Sequence, residues 1–178
     1  PYPSSDVILH PNLYKSEEIK PLILFRDPFD WLISRYVKYE DKKFQNTNEI
    51  DEKLLSYQIS DYKNYISYWL NYTSSNNTNE YLLINFELLT QNGMEVFKKI
   101  LSFFNYEILK DETLEYIIKI NSKEFSIENL GVEFTGTRFT NNDRKKKVIE
   151  KIEEYIYNNI EFKDLSKKAE KLKKNINI

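Results

Sequence analysis

The sequence predicts an α/β fold, a parallel sheet flanked by helices, and three observations carry that prediction. Short apolar runs at Val7-Ile8-Leu9, Leu22-Ile23-Leu24-Phe25 and Tyr81-Leu82-Leu83-Ile84 are long enough for buried strands and too short for helices. Between and after them lie long stretches of helical period, so strands and helices alternate. At 178 residues the chain has the length of one domain with a real core, and neither an internal repeat nor a second domain stands out.

The first run ends at His10-Pro11, a candidate strand with a functional residue at its tip; the plain alternative is an ordinary surface loop. Residues 12–20 are polar and suit a short helix or turn. The second run continues into Arg26-Asp27-Pro28-Phe29-Asp30. Asp27 is placed to cap a helix, Pro28 suits its first position, and Asp30 completes a carboxylate variant of the capping box. Phe29, Leu32, Ile33, Tyr36 and Val37 then share one helical stripe.

Arg26 therefore stands at the carboxyl end of a strand, the edge where open α/β sheets collect ligands. Ser34 shares a helix face with Asp30 and Trp31, roughly 10 Å along the axis from the cap. Side chains lean toward the helix N-terminus and an Arg is long, so Arg26 and Ser34 can grip one anion. The plain alternative pairs Arg26 with Asp27 or Asp30 and leaves Ser34 facing solvent.

Residues 45–51 form a polar loop, and 51–72 a helix whose Tyr62, Tyr65, Ile66, Trp69 and Leu70 make an aromatic-rich core face. Residues 74–79 read as a turn. The third strand delivers Asn85-Phe86-Glu87 to its carboxyl end, a position of the same kind as Arg26. Gly93 precedes an amphipathic helix with Phe97, Ile100, Leu101 and Phe104 inside, and Asp111 starts a short helix through Ile118. Residues 122–140 hold Gly131, Gly136 and Arg138, and Gly136-Thr137-Arg138-Phe139-Thr140 reads as a flexible polar loop before a helix, suited to close over a ligand. A final helix runs from Asn142 or Asp143 to about Asn159; Arg144 and Lys145–Lys147 in its first turn oppose the helix dipole unless a polyanion docks there. The Lys-rich tail after Lys163 reads as a peripheral helix.

Composition narrows the chemistry. A net charge of −2 gives no field that would favour nucleic acid. Arginine occurs only at positions 26, 35, 138 and 144 against 22 lysines, so each planar fork answers a geometric need. With no cysteine and one histidine, disulfides, thiolate catalysis and multi-histidine metal sites are excluded. No run has the length of a membrane span and no signal peptide is visible, which points to a cytoplasmic protein. The chain opens on Pro1 with all five prolines in its first 28 residues, and reads as the continuation of something longer.

A strand, then Arg26-Asp27-Pro28, then Ser34 eight residues after the arginine resembles the 3′-phosphate-binding segment of the sulfotransferases that use 3′-phosphoadenosine 5′-phosphosulfate. Upstream, the strand ending in His10-Pro11 is similar to the place of the catalytic histidine in the cytosolic branch. Downstream, residues 81–104 resemble the family's strand, Tyr-Glu-Asp and following helix, read here as Phe86-Glu87-Leu88. The resemblance spans about residues 6–104, and more loosely 131–160. It implies a P-loop-NTPase-like sulfotransferase fold, N-terminally truncated, since residues 1–21 hold no counterpart of the family's 5′-phosphosulfate loop.

Carried over by position, Arg26 and Ser34 would bind the 3′-phosphate and Phe86 would stand near the adenine. Arg138, with Arg144 in reserve, would stand for the family's late basic element, and His10 would take the acceptor's proton. In the carbohydrate-acting branch the base is instead a glutamate that would lie before Pro1. The implied acceptor is a hydroxyl- or amine-bearing small molecule or glycan, with no metal, nucleic acid or membrane span involved. Two other readings remain open from the residues: a nucleotide-phosphate-binding relative without transfer chemistry, and a helical α/β interaction module.

Overall fold

The computed structural model describes residues 20–36, 49–107, 109–120 and 142–177. The expected strand at 7–9, His10, the loop at 122–140 with Arg138, and most of the 45–51 loop lie outside them. The described chain is α/β, and its elements group into two compact units.

One unit holds the sheet. Strands β1 (Leu22–Phe25) and β2 (Leu82–Asn85) pair in parallel, Leu22 with Leu82 through Phe25 with Asn85. β1 alternates exposed and buried residues, whereas Leu82, Leu83 and Ile84 are all buried, as a strand covered on both faces requires. β2 begins one residue later than its apolar run suggests, because Tyr81, though buried, precedes the ladder. The Asn177 side chain also serves β2: its Oδ1 accepts from the Leu83 N–H at 2.9 Å and its Nδ2 donates to the Tyr81 carbonyl at 3.1 Å.

Helices α3 (Phe86–Gln91), α4 (Gly93–Phe103) and α5 (Asp111–Ile120) follow β2. Leu82, Ile84 and Val96 form an apolar cluster covered by Leu88, Leu89, Ile100 and Phe103. The face of α4 differs from the expected stripe. Phe97 is exposed and the smaller Val96 is buried, since Val96 is the residue that meets β2. The helix ends in a Schellman motif, with Asn105 at φ 57° and the Tyr106 N–H on the Leu101 carbonyl at 2.8 Å.

The other unit is helical: α1 (residues 28–36), α2 (Glu52–Ser75), α6 (Asn142–Tyr157) and α7 (Ile160–Lys173). Leu55, Ile59, Tyr62, Ile66, Trp69 and Thr73 line the buried side of α2 at helical spacing. Asp51 caps it, its carboxylate accepting from Lys53 N–H at 3.1 Å and Leu54 N–H at 3.2 Å. α2 runs to Ser75, past the turn expected from residue 74.

The last two helices fall where the sequence expects them, with the tail helix starting a few residues earlier, at Ile160. α6 stops at Tyr157, and the Asn159 side chain caps α7 by accepting from the Phe162 N–H at 2.9 Å. The Lys-rich tail is not peripheral: α7 packs along α2 and buries Leu165, Ala169 and Leu172. Lys63 on α2 meets Asp164 on α7 at 3.1 Å, and Lys168 reaches the Ser67 hydroxyl at 3.2 Å.

Candidate functional site

The strand end at Phe25 and the helix start at Pro28 leave two residues between them. Asp27 is the cap: its Oδ1 accepts from the Phe29 N–H at 2.8 Å and the Asp30 N–H at 3.4 Å, and its carbonyl takes the first helical bond from Trp31 at 2.9 Å. The expected cap and the Pro28 start are therefore both found. Leu32 and Tyr36 are buried on the predicted stripe, and the Tyr36 hydroxyl accepts from the Asp51 N–H at 2.7 Å.

Arg26 is the other residue. It lies one position past the last ladder pair, and both its backbone groups turn to a side chain on α2. The Tyr62 hydroxyl donates to the Arg26 carbonyl at 2.7 Å and accepts from the Arg26 N–H at 3.3 Å. The Arg26 side chain is half-buried, with its Nε shielded from solvent. A partly desolvated guanidinium binds an anion more strongly than an exposed one, because less water screens it.

Ser34 is half-buried on α1. Its helix is braced by aromatic rings: Trp31 stacks on Tyr62 with centroids 4.2 Å apart and planes within 5°, and Tyr62 stacks on Tyr65 at 5.6 Å. Beside Ser34, the Arg35 guanidinium lies over the Trp31 ring at 5.6 Å.

Phe86 is the first residue of α3, half-buried, directly after β2. Asn85 both ends the strand and caps the helix, accepting from the Glu87 N–H at 2.7 Å. Leu88, two residues after Phe86, packs against the apolar cluster. His10 and Arg138 lie outside the described residues. Arg144 falls in the first turn of α6, whose backbone alone is described there.

A cavity of about 420 Å³ opens elsewhere in the helical unit, lined by Glu49, Ile50, Glu52, Lys151, Glu154 and Tyr155. Three carboxylates against one ammonium make it a poor phosphate site, and no predicted site residue lines it. Among the described residues no group of His, Cys, Asp or Glu is arranged to hold a metal ion, and no helix is long and apolar enough to cross a membrane.

Sequence reasoning missed Tyr62 as part of the site, placing it only in the core stripe. A signal existed, since a buried tyrosine hydroxyl needs a hydrogen-bond partner.

A family model described as a sulfotransferase domain matches residues 6–174, which reaches well beyond the segment carrying the resemblance. The comparisons with curated proteins and with solved structures gave no match.

Proposed function

The chain belongs to the sulfotransferase family, and from that premise we propose that it moves a sulfuryl group from 3′-phosphoadenosine 5′-phosphosulfate to a hydroxyl or amine of a small-molecule or glycan acceptor. Family membership carries sulfotransfer in general. The donor, the acceptor class, a cytoplasmic setting and a P-loop-like extension of the two parallel strands are our own reading.

The observation that supports the donor is Arg26, a half-buried guanidinium just past a parallel strand and ahead of a capped helix. In this reading Arg26 gives the 3′-phosphate bidentate, charge-assisted bonds, and the Ser34 hydroxyl adds another. Phe86 offers the adenine a stacking face without a hydrogen bond. Arg138, or Arg144, supplies further positive charge to the same phosphate. The donor brings the sulfuryl group. His10 takes the proton from the acceptor's hydroxyl or amine as that atom attacks sulfur, and adenosine 3′,5′-bisphosphate leaves.

Titration with adenosine 3′,5′-bisphosphate tests the reading. Arg26→Ala should weaken binding by about 1.5–3 kcal/mol, the range for hydrogen bonds to charged groups; an unchanged affinity overturns the phosphate site. Transfer of labelled sulfate by His10→Ala tests the base, and full activity removes His10 from the mechanism. A second reading, a nucleotide binder without transfer chemistry, is favoured by the apolar packing of Leu88. It predicts intact bisphosphate binding with no transfer to any acceptor.

A further inference from the structure

We propose that Tyr62 is the positioning residue of the phosphate site, fixing Arg26 and the Ser34 helix to one reference; this rests on the reading of Arg26 and Ser34 as 3′-phosphate ligands. Tyr62 is buried, and its hydroxyl satisfies both backbone groups of a single residue, Arg26. That residue lies one position past the last β1–β2 ladder pair and precedes the capping Asp27. The phenol holds this backbone from both sides and sets where the arginine side chain begins.

The ring of the same residue acts on the second ligand. It lies face to face with Trp31, which sits three residues before Ser34 and shares its helix face. The Arg35 guanidinium also lies over the Trp31 ring. Tyr62 itself cannot drift readily, because its neighbour Lys63 ties α2 to Asp164 of α7 and Tyr65 backs its ring. One side chain therefore sets the backbone of the first ligand through its oxygen and the helix of the second through its ring. A bidentate grip on phosphate is sensitive to such placement, since displacements near 1 Å cost binding geometry its advantage.

The test is Tyr62→Phe in the full chain, which removes the hydroxyl and keeps the stack. Calorimetric titrations use adenosine 3′,5′-bisphosphate and, as the probe lacking the 3′-phosphate, adenosine 5′-monophosphate. The expected result is a roughly two- to tenfold loss for the bisphosphate, the scale of one or two hydrogen bonds, with the monophosphate unchanged. In an Arg26→Ala background the same substitution should have no further effect on the bisphosphate. Trp31→Leu, which spares the hydroxyl, serves as the second variant and should show the same preference for the 3′-phosphate at smaller size. Equal losses for both nucleotides, wild-type affinity, or a full additional loss in the Arg26→Ala background each overturn the positioning role. If Arg26→Ala alone leaves bisphosphate binding intact, the phosphate reading itself falls and takes this role with it; if Arg26→Ala weakens binding and Tyr62→Phe does not, only the positioning role falls.

Discussion

The carboxyl ends of the two parallel strands solve the same problem with different spacing. β2 ends on Asn85, which is at once the last ladder residue and the cap of α3. β1 ends on Phe25, and its helix is capped two residues later by Asp27. The difference is Arg26. In the β2 crossing every residue is claimed by the ladder or the helix. In the β1 crossing one residue belongs to neither, and its backbone is satisfied instead by a side chain from α2. On the proposed reading, that spare residue is the one whose side chain meets the phosphate.

The two helices differ in anchorage as well, and the largest expected effect lies there. Leu32 is fully buried on α1, whereas no residue of α3 is fully buried. Leu32→Ala should cost about 2–5 kcal/mol in urea unfolding, and Leu88→Ala on α3 clearly less. Equal costs would mean that the two crossings are anchored alike.

The caps should be closer to equal. Asp27→Ala and Asn85→Ala should each lose about 1 kcal/mol, the usual value of a side-chain cap. A near-zero effect at Asp27 would show that Tyr62, rather than the cap, fixes the β1 crossing.

The smallest effect is a pH dependence behind the β1 crossing. A hydrogen bond from Lys63, followed by one from Lys168, holds the Asp164 carboxyl below its ordinary range. The folded state then binds this proton less readily than the unfolded chain. Its stabilisation is full above the ordinary carboxylate pKa, near ~4, and fades as pH falls through the lowered value. Asp164→Asn should therefore lower the melting temperature slightly at neutral pH, with the gap closing in acid. A gap that widens in acid would contradict the Lys63 and Lys168 assignment.

Legibility followed range. The Asp27 cap, the Pro28 start and the Leu32–Tyr36 stripe were readable because each depends on residues within a turn or two. The long α2 helix was equally plain from its period. The helix end near Asn159 was readable too, since the Asn159 cap is local, whereas the packing of the Lys-rich tail on α2 was not, because its apolar stripe is weak and its partner lies about a hundred residues away. Phe97 and Val96 exchanged places for a non-local reason: both suit an apolar face, and only contact with β2 chooses between them.

The sequence by itself determined the strands at 22–25 and 82–85 and most of the described helices, where several begin, and that an arginine would stand where a strand gives way to a helix. Caps, periodicity and proline placement act between near neighbours, so they are written in the order of residues. Only the tertiary structure decided that β1 and β2 lie side by side in register, that the lysine-rich tail packs on α2, and that a tyrosine 36 positions away takes both backbone bonds of Arg26. Those choices are made by burial and by the need to satisfy polar groups taken from water, and neither can be evaluated until distant parts of the chain meet.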